Sequence, residues 1–489
     1  MGHWIRLIVI VIAATPFFAS AQSDTQSTGI VKEFIATLNE NDKPKTEEYI
    51  VNNYISYFLE AFPLENHVNF ATELHRQNGN LIIESITQLP DHNHFARWAA
   101  LVNSERTEEW NELIVFFIAE KPGKIAGIQI RPASISSIPE FSTNISQRKL
   151  KKELKAYLKR AEEKDVFSGT VLLAKDNTIL FTGVAGAADK RFDTPINIHT
   201  RFNLGSMNKM FTAVAIMQLV QEGRLHLDDR LNTFIDDSWL PLEISRKIQI
   251  QHLLSHTSGL GSYFNHTYES SAKDSFRHLE DYKVLIKDDT LQFEPGTAYA
   301  YSNTGMFLLG LVIEKVSGED YFDYIRTHIY QPASMNNSDS FDLDQPTPNL
   351  ATGYYVNPDS GAGWTNNNML LPAKGCPAGG GYSTVEDLYK FVLALTGNKL
   401  LQKPFTDQLL VAHPELGASD YGFGFQISGD DNNRIVGHSG GFEGISANLD
   451  IYLDKGYVAI VLSNYSGGAP PVMQKLRILV EQATHKNQL

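Results

Sequence analysis

A helix-length segment of this chain, "MFTAVAIMQLVQEG" at residues 210–223, has no polar face. A helix that is apolar all round must be covered on every side, so the segment predicts a buried helix at the centre of a large domain. Gly223 is the residue type that commonly ends a helix. With 489 residues, 42% of them hydrophobic, the chain is long enough for two or three domains and a large core.

Ser206 and Lys209 form an S-x-x-K motif at the start of this helix. The motif recurs at 146–149 and 270–273, but in polar sequence that is typical of solvent-facing segments. In the first turn of a buried helix, both side chains share a face and the free N–H groups point towards the serine. A lysine held there is partly desolvated, which lowers its pKa and lets it act as a base. A capped helix with a solvent-facing lysine would explain Ser206 but not Lys209.

Two further motifs follow along the chain. Y-x-N occurs three times, and only Tyr301 and Asn303 are followed by a strongly apolar helical segment, "TGMFLLGLVIEKVSG". The stretch "GHSGGFEG", residues 437–444, lies between two segments with the pattern of strands. Small residues at such a position let backbone N–H groups approach a ligand closely.

S-x-x-K, Y-S-N and H-x-G, in this order and these contexts, resemble the motifs of the serine β-lactamase and penicillin-binding-protein superfamily. Class C β-lactamases, D,D-carboxypeptidases, D-aminopeptidases and esterases are the most similar branches. Other stretches of the kind this superfamily carries are "FSGTVLLAKDNTILFTGVAG", "IQIQHLLSHTSGL" and "PAGGGYSTVEDLYKF". The resemblance spans about residues 150–485. It implies an α+β fold, with an antiparallel sheet built from both ends of this region and a helical lobe over roughly 225–420.

The resemblance also implies roles for individual residues. Ser206 matches the acylated nucleophile, Lys209 the lysine that helps to remove its proton, and Tyr301 the tyrosine that carries protons to the leaving group. Acyl transfer requires such an activated hydroxyl, a proton relay and preorganised donors for the oxyanion. The backbone N–H groups of Ser206 and Gly441 match the oxyanion hole. The residues that match substrate-binding or orienting positions are Asn303, His438, Gly440 and Gly441.

His438 departs from the pattern of true β-lactamases, which have K-T-G or a close variant at the third motif. A histidine of ordinary pKa, about 6.5, is mostly neutral at neutral pH and attracts a β-lactam carboxylate less than lysine does. The H-x-G form resembles the D-aminopeptidase and esterase-like branches. We therefore expect a serine hydrolase acting on an ester, amide or peptide bond. The alternatives are a β-lactamase proper and a catalytically silent penicillin-binding or sensor protein. The sequence leaves open whether His438 contacts substrate or only Tyr301.

Residues 437–441 also fit G-x-S-x-G, the nucleophile elbow of α/β-hydrolases, with Ser439 as nucleophile. An elbow must lead from a strand into a helix, whereas "FEGISANLDIYLDKGYVAIVLSN" predicts two strands around a turn. The only histidine after this motif is His485, in a polar tail. This interpretation is therefore disfavoured.

The N-terminal sequence predicts export. "MGHWIRLIVIVIAATPFFASAQ" combines Arg6, an apolar run and an A-x-A site, which is the pattern of a signal peptide over residues 1–21 that is cleaved after Ala21. The protein is then expected in the periplasm or outside the cell. The single cysteine, Cys376, excludes an intramolecular disulfide. The net charge of -14, with no basic run, makes nucleic acid an unexpected partner.

Residues 24–133 have helical patterns followed by four extended segments. This order resembles the α+β cone of the nuclear transport factor two-like and SnoaL-like proteins, and predicts an accessory domain that could join two copies of the chain. Residues 134–147 are predicted to be a linker and 148–485 the hydrolase domain. The expected partner is a small-molecule or peptide substrate, with no metal or organic cofactor. His252 and His256, four residues apart, are interpreted as structural rather than as a metal pair.

Overall fold

The computed structural model describes residues 24–92, 95–118, 123–139, 144–357, 363–429 and 433–484. The chain divides into two compact units, Met1–Ile145 with Arg477–Leu489, and Ser146–Leu476. The predicted signal peptide and His485 lie outside the described residues. None of the described helices is both long enough and apolar enough to cross a membrane.

The first unit contains four helices followed by a four-stranded antiparallel sheet whose strands pair in chain order. Apolar side chains of the helices, such as Phe34 and Leu74, pack with Val102 and Val115 of the sheet. The helices-then-strands order is the predicted α+β arrangement. The elements are α1 Asp24–Glu40, α2 Lys43–Asn53, α3 Ser56–Ala61, α4 Leu64–Asn78, β1 Leu81–His92, β2 Phe95–Ser104, β3 Trp110–Ile118 and β4 Ile125–Pro132.

The second unit is built on a six-stranded antiparallel sheet of order β13-β14-β15-β16-β5-β6. The strands of this sheet are β5 Gly169–Lys175, β6 Thr178–Ala185, β13 Gln426–Ser428, β14 Ile435–Phe442, β15 Ile445–Tyr452 and β16 Tyr457–Ser463. Between β6 and β13 the chain forms short strands that pair separately: β7 Ala187–Asp189, β8 Thr194–Pro195, β9 Phe202–Asn203, β10 Tyr354–Val356, β11 Trp364–Asn366 and β12 Tyr382–Ser383. The predicted antiparallel sheet, built from strands near both ends of residues 150–485, is confirmed. Every residue of β16 is buried, which explains its continuous apolar sequence.

Helices cover this sheet and form the predicted helical lobe between 225 and 420. Two helices precede this range, α5 Gln147–Glu163 and α6 Asn208–Gln221. The lobe contains α7 Leu242–Ser245, α8 Ile250–Leu254, α9 His266–Ser270, α10 Lys283–Ile286, α11 Asn303–Ser317, α12 Tyr321–Ile325, α13 Gln331–Ala333, α14 Val385–Thr396 and α15 Lys403–Leu409, and α16 Ala469–Thr484 follows it. The apolar segment that the sequence singles out is α6, and its residues 208–219 are all buried. The chain leaves this helix through Gly223, whose φ of +69° lies in the left-handed region.

The strand positions decide against the nucleophile elbow. Ser439 lies in the middle of β14, and the chain continues from β14 into β15 rather than into a helix. An elbow serine needs the sharp strand-to-helix turn that exposes its hydroxyl, and this turn is absent at Ser439. The predicted pair of strands after the motif is confirmed as β15 and β16.

Candidate active site

Ser206 lies in a single 3-10 turn, Gly205–Met207, that leads directly into α6. The turn requires a glycine at 205, because φ there is +50° and a Cβ would lie 3.0 Å from the amide nitrogen of Gly441. Ser206 is half-buried, whereas the residues around it are buried. The sequence therefore places one accessible hydroxyl at the N-terminal end of the central helix.

Lys209 is one turn further along, and it is completely buried. Its Nζ lies 3.0 Å from Ser206 Oγ, 2.9 Å from Asn303 Oδ1 and 2.5 Å from the carbonyl oxygen of Ala378. All three of these acceptors are uncharged, so they do not offset the loss of water around an ammonium group. Burial accordingly lowers the pKa of Lys209 to about 7. At neutral pH a large fraction of this lysine is the free amine beside the serine hydroxyl.

Asn303 is the first residue of α11 and connects this helix to the lysine. Its Oδ1 accepts from Lys209, and its Nδ2 donates to Ser262 Oγ at 3.1 Å. The preceding residue, Ser302, caps α11 by accepting from the Gly305 N–H at 2.8 Å. The cap fixes the start of the helix, and thereby the direction of the Asn303 side chain.

Tyr301, immediately before the cap, completes the group around Ser206. The Lys209 Nζ lies 4.9 Å from the centroid of the Tyr301 ring. Although 37% of the residue is exposed, its hydroxyl forms a hydrogen bond with Ser206. Burial raises the pKa of the Tyr301 phenol, and a hydrogen bond with Ser206 opposes this effect only in part. Tyr301 therefore keeps its proton at neutral pH and can donate it.

Strand β14 passes beside the Ser206 turn along its open edge. The Ser439 N–H donates to Gln426 Oε1 at 3.1 Å, so the Gly441 N–H, two residues on, points to the same side of the strand. A Cβ on Gly440 would lie 1.9 Å from the Leu204 carbonyl oxygen and 3.1 Å from the Ser206 nitrogen. Only glycine permits this approach, which brings the backbone N–H groups of residues 206 and 441 to one place. Two such donors can hold an oxyanion.

His438 is buried and makes both of its hydrogen bonds within the protein. Its Nδ1 lies 2.6 Å from the Ser439 carbonyl oxygen and its Nε2 lies 2.8 Å from the Tyr421 hydroxyl. A carbonyl can only accept, so Nδ1 carries the proton and Nε2 accepts from Tyr421. Burial, followed by the nearby charge of Lys209, lowers the pKa of His438 to about 3. The imidazole is neutral, and its partner is Tyr421 rather than Tyr301, whose ring centroid is 6.3 Å away.

Two residues near the site were not assigned a role by the sequence. Tyr421 belongs to none of the motifs, and the sequence predicts only a structural role for His256. The His256 ring lies 4.2 Å from the Tyr301 ring and 4.5 Å from the Tyr421 ring, measured between centroids. Its Nδ1 accepts from the Ser302 N–H at 3.1 Å. The signal that pointed to it was the stretch "IQIQHLLSHTSGL", which carries the superfamily resemblance.

His252 and His256 each accept a hydrogen bond from a backbone N–H group of the protein. His252 Nδ1 accepts from the Gln249 N–H at 3.2 Å, at the start of α8, and so serves that helix. Within the described ranges, the acidic, histidine and cysteine side chains form no group of three that could bind a metal ion. Cys376 is buried.

A pocket that is partly open to solvent lies beside Ser206. Asn303, Cys376 and Gly441 are among the residues that line it. The structure thus brings Ser206, Lys209, Tyr301, Asn303, His438, Gly440 and Gly441 into one region, with a serine hydroxyl, a lysine amine of lowered pKa, a protonated phenol and two backbone N–H groups beside a cavity. This arrangement has the groups that acyl transfer through a serine requires.

Comparisons with known proteins agree with this description. The family model described as Beta-lactamase matches residues 151–484. The chain is 32% identical over 331 residues to penicillin-binding protein 4* of Bacillus subtilis, in a match that covers 64% of this chain and 72% of that protein. The solved penicillin-binding protein of Bacillus halodurans is similar at 31% identity and a TM-score of 0.59, covering 68% of this chain and 100% of that one.

The D-amino acid amidase of Ochrobactrum anthropi shares the fold, at 22% identity and a TM-score of 0.58, over 68% of this chain and 99% of that one. The family match extends over most of the chain and includes all three motifs and the pocket. The protein therefore belongs to the superfamily of serine β-lactamases and penicillin-binding proteins.

Proposed function

We propose that this protein is an exported serine hydrolase that cleaves an ester, amide or peptide bond through an acyl-enzyme on Ser206. One observation carries the proposal: Lys209 Nζ lies 3.0 Å from Ser206 Oγ and is buried among uncharged acceptors. Its pKa of about 7 supports a role as the base that accepts the serine proton. Export rests on the predicted signal peptide at residues 1–21.

Acylation begins when Ser206 Oγ attacks the substrate carbonyl carbon and its proton passes to the neutral Lys209 amine. The carbonyl oxygen takes the negative charge and is stabilised by the N–H groups of Ser206 and Gly441. The carbon–heteroatom bond then breaks, and Tyr301 donates a proton to the leaving alcohol or amine. The Lys209 ammonium then returns a proton to the Tyr301 phenolate. Lys209 and Tyr301 therefore end the acylation step in the protonation states in which they began it.

Deacylation reverses these roles with water as the nucleophile. Water attacks the ester carbon of the acyl-enzyme and gives a proton to the same relay, and Ser206 Oγ leaves as a hydroxyl. Asn303 supports both half-reactions, because its Oδ1 accepts from Lys209 and holds the amine near Ser206. Burial keeps the His438 imidazole neutral, and its Nε2 accepts a hydrogen bond from the Tyr421 hydroxyl.

We propose that the reaction catalysed resembles that of esterases, D-aminopeptidases or D,D-carboxypeptidases rather than that of a β-lactamase. At the third motif, a neutral His438 offers no fixed cation to a β-lactam carboxylate. The silent-sensor alternative is less supported, because Ser206, Lys209 and Tyr301 stand in mutual contact.

The test is covalent labelling with a fluorophosphonate, followed by peptide mass spectrometry. We expect the label on Ser206 in the wild type, no label in Ser206→Ala, and full labelling in the matched control Ser439→Ala. Ser206→Ala should abolish the hydrolysis of every ester that the wild type cleaves, whereas Ser439→Ala should retain it. A label on Ser439 would overturn the proposal.

A further inference from the structure

We infer that the pocket beside Ser206 binds the acyl part of the substrate, and that this part is an uncharged, apolar group such as an aryl-alkyl or alkyl chain. The inference rests on the proposed function and names its substrate class. It follows from the composition of the pocket wall, from the side of Ser206 on which the pocket lies, and from the pairing of the charged groups around it.

The wall of the pocket is apolar and aromatic. Tyr268 and Tyr282 are buried in it, and Phe264, which is 41% exposed, stacks on Phe442 with 5.8 Å between ring centroids. Among the described residues that line the pocket, none is an aspartate, glutamate, lysine, arginine or histidine. Four residues add aliphatic surface to the wall: Leu343, Leu371, Pro372 and Ile445. Such a surface gains free energy by removing an apolar group from water.

The position of the proton donor assigns the pocket to the acyl side. The leaving group must contact Tyr301, which supplies its proton. Tyr301 is not among the described residues that line the pocket, whereas Ser206 and Gly441 are. With the carbonyl carbon at Ser206 and its oxygen at the two N–H donors, the leaving group lies towards Tyr301. The acyl chain is then directed into the pocket.

Two polar side chains of the wall, Tyr263 and Asn303, have partners inside the protein. The Tyr263 hydroxyl lies 3.2 Å from Cys376 Sγ, and the amide of Asn303 bonds with Lys209 and Ser262. These groups hold the pocket together rather than offering free donors to an anion. A carboxylate in this pocket would lose its water without gaining a charged partner, which is strongly unfavourable.

Charged residues beside the pocket are also neutralised within the protein. Asp342 and Asp344 flank Leu343, and the guanidinium of Arg277 forms ion pairs with both. Lys374 lies 3.3 Å from Asp342. This pairing holds residues 342–344 in place, and the apolar residue among them, Leu343, lines the pocket. The loop thus contributes an apolar wall with no unpaired cation.

The inference is tested with three para-nitrophenyl esters that share a leaving group: hydrocinnamate, heptanoate and the adipate monoester, whose chain ends in a carboxylate. We expect the wild type to prefer both neutral esters over the adipate monoester by about a hundredfold or more in kcat/KM. Spontaneous hydrolysis of each ester is subtracted. Equal rates, or faster cleavage of the adipate monoester, would overturn the inference.

Phe264 at the rim provides a matched pair of variants. Phe264→Arg introduces a cation beside the pocket and should reduce the preference for heptanoate over the adipate monoester by at least about tenfold. Phe264→Met, neutral and of similar length, should leave this ratio within about threefold of the wild type. A change of the ratio in Phe264→Met as large as that in Phe264→Arg would contradict a role for charge.

A binding measurement separates this inference from the proposed function. In Ser206→Ala, calorimetry should detect tighter binding of hydrocinnamide than of adipamate, by about tenfold or more, whether or not the wild type turns over any ester. Loss of that preference would overturn the inference of an apolar acyl group. Fluorophosphonate labelling of Ser206 would in that case still support the proposed hydrolase activity. Labelling elsewhere would overturn the hydrolase while the binding preference could persist.

Discussion

The imidazole of His256 lies against the phenol of Tyr301, with 4.2 Å between the ring centroids. The same imidazole accepts the N–H of Ser302 through Nδ1, and the backbone of His256 has a φ of +58°. A non-glycine residue in the left-handed region is uncommon and is kept by its surroundings. His256 therefore links a strained turn to the start of α11 and supports the Tyr301 ring, so we assign it as a positioning residue.

We expect His256→Asn to lower kcat by roughly ten- to a hundredfold while KM changes little, because Tyr301 loses its support but the pocket wall is untouched. Asparagine tolerates a positive φ, which preserves the backbone of the turn. His252→Asn is the matched control and should change kcat by less than about threefold. Steady-state kinetics on one neutral ester make the comparison. A rise in KM at constant kcat would contradict the positioning role.

The pH dependence of the reaction should report Lys209. Because burial lowers the pKa of Lys209 to about 7, the amine becomes the free base as the pH rises through that value. We expect kcat/KM to increase on an acidic limb centred near pH 7. Since the pKa of Tyr301 is raised above its ordinary value of about 10, no loss of its proton is expected below that pH. A profile that is flat between pH 5 and pH 9 would contradict this assignment.

The same lowered pKa predicts a pH-dependent stability. Between about pH 7 and pH 10 the unfolded chain keeps a proton on Lys209 that the folded chain has released, so folding becomes more favourable as the pH rises. From pH 7 to pH 9.5 the free energy of unfolding of the wild type should increase relative to Lys209→Met by about 3 kcal/mol. Denaturant unfolding at both pH values measures this difference. Lys151→Met, at an exposed lysine, should show no such divergence.

Lys209 and Tyr301 are expected to act as one relay. Lys209→Ala and Tyr301→Phe should each reduce kcat by about a hundredfold or more, the scale of a lost general acid or base. The double variant should be little worse than the poorer single variant, because either change alone interrupts the transfer of the proton. Pre-steady-state acylation rates provide the measurement. Losses that multiply in the double variant would mean that the two residues act separately.

Gly440 should tolerate no side chain. In Gly440→Ala the new Cβ would meet the Leu204 carbonyl oxygen at 1.9 Å, so β14 must move away from the Ser206 turn and the two oxyanion donors separate. We expect at least about a hundredfold loss of kcat, the scale of losing an oxyanion donor. Ser439→Ala, on the neighbouring residue, should retain activity. Gly440→Ala with unchanged kinetics would exclude the proposed oxyanion hole.

The central helix, the strands of the sheet and the order of the three motifs could be predicted from the chain. Each depends on local patterns: α6 is apolar on every face, and β15 and β16 have strand-like sequences around a turn. The small residues at 437–444 indicate a place where backbone N–H groups can approach a ligand. The approach of Gly440 to the Leu204 backbone is visible only in the tertiary structure. The domain boundaries and the resemblance of the first unit to a cone-shaped fold stay predictions.

The partner of His438, the contact between His256 and Tyr301, and the pocket wall depended on tertiary structure. His438 bonds with Tyr421, a residue outside every motif, because the packing of the second unit brings them within 2.8 Å. The pocket combines Phe264, Leu343, Leu371 and Phe442, which are far apart in the chain. Sequence periodicity records which face of an element is buried. It does not record which distant element covers that face, and it is this covering that lowers the pKa of Lys209 and leaves the pocket without charge.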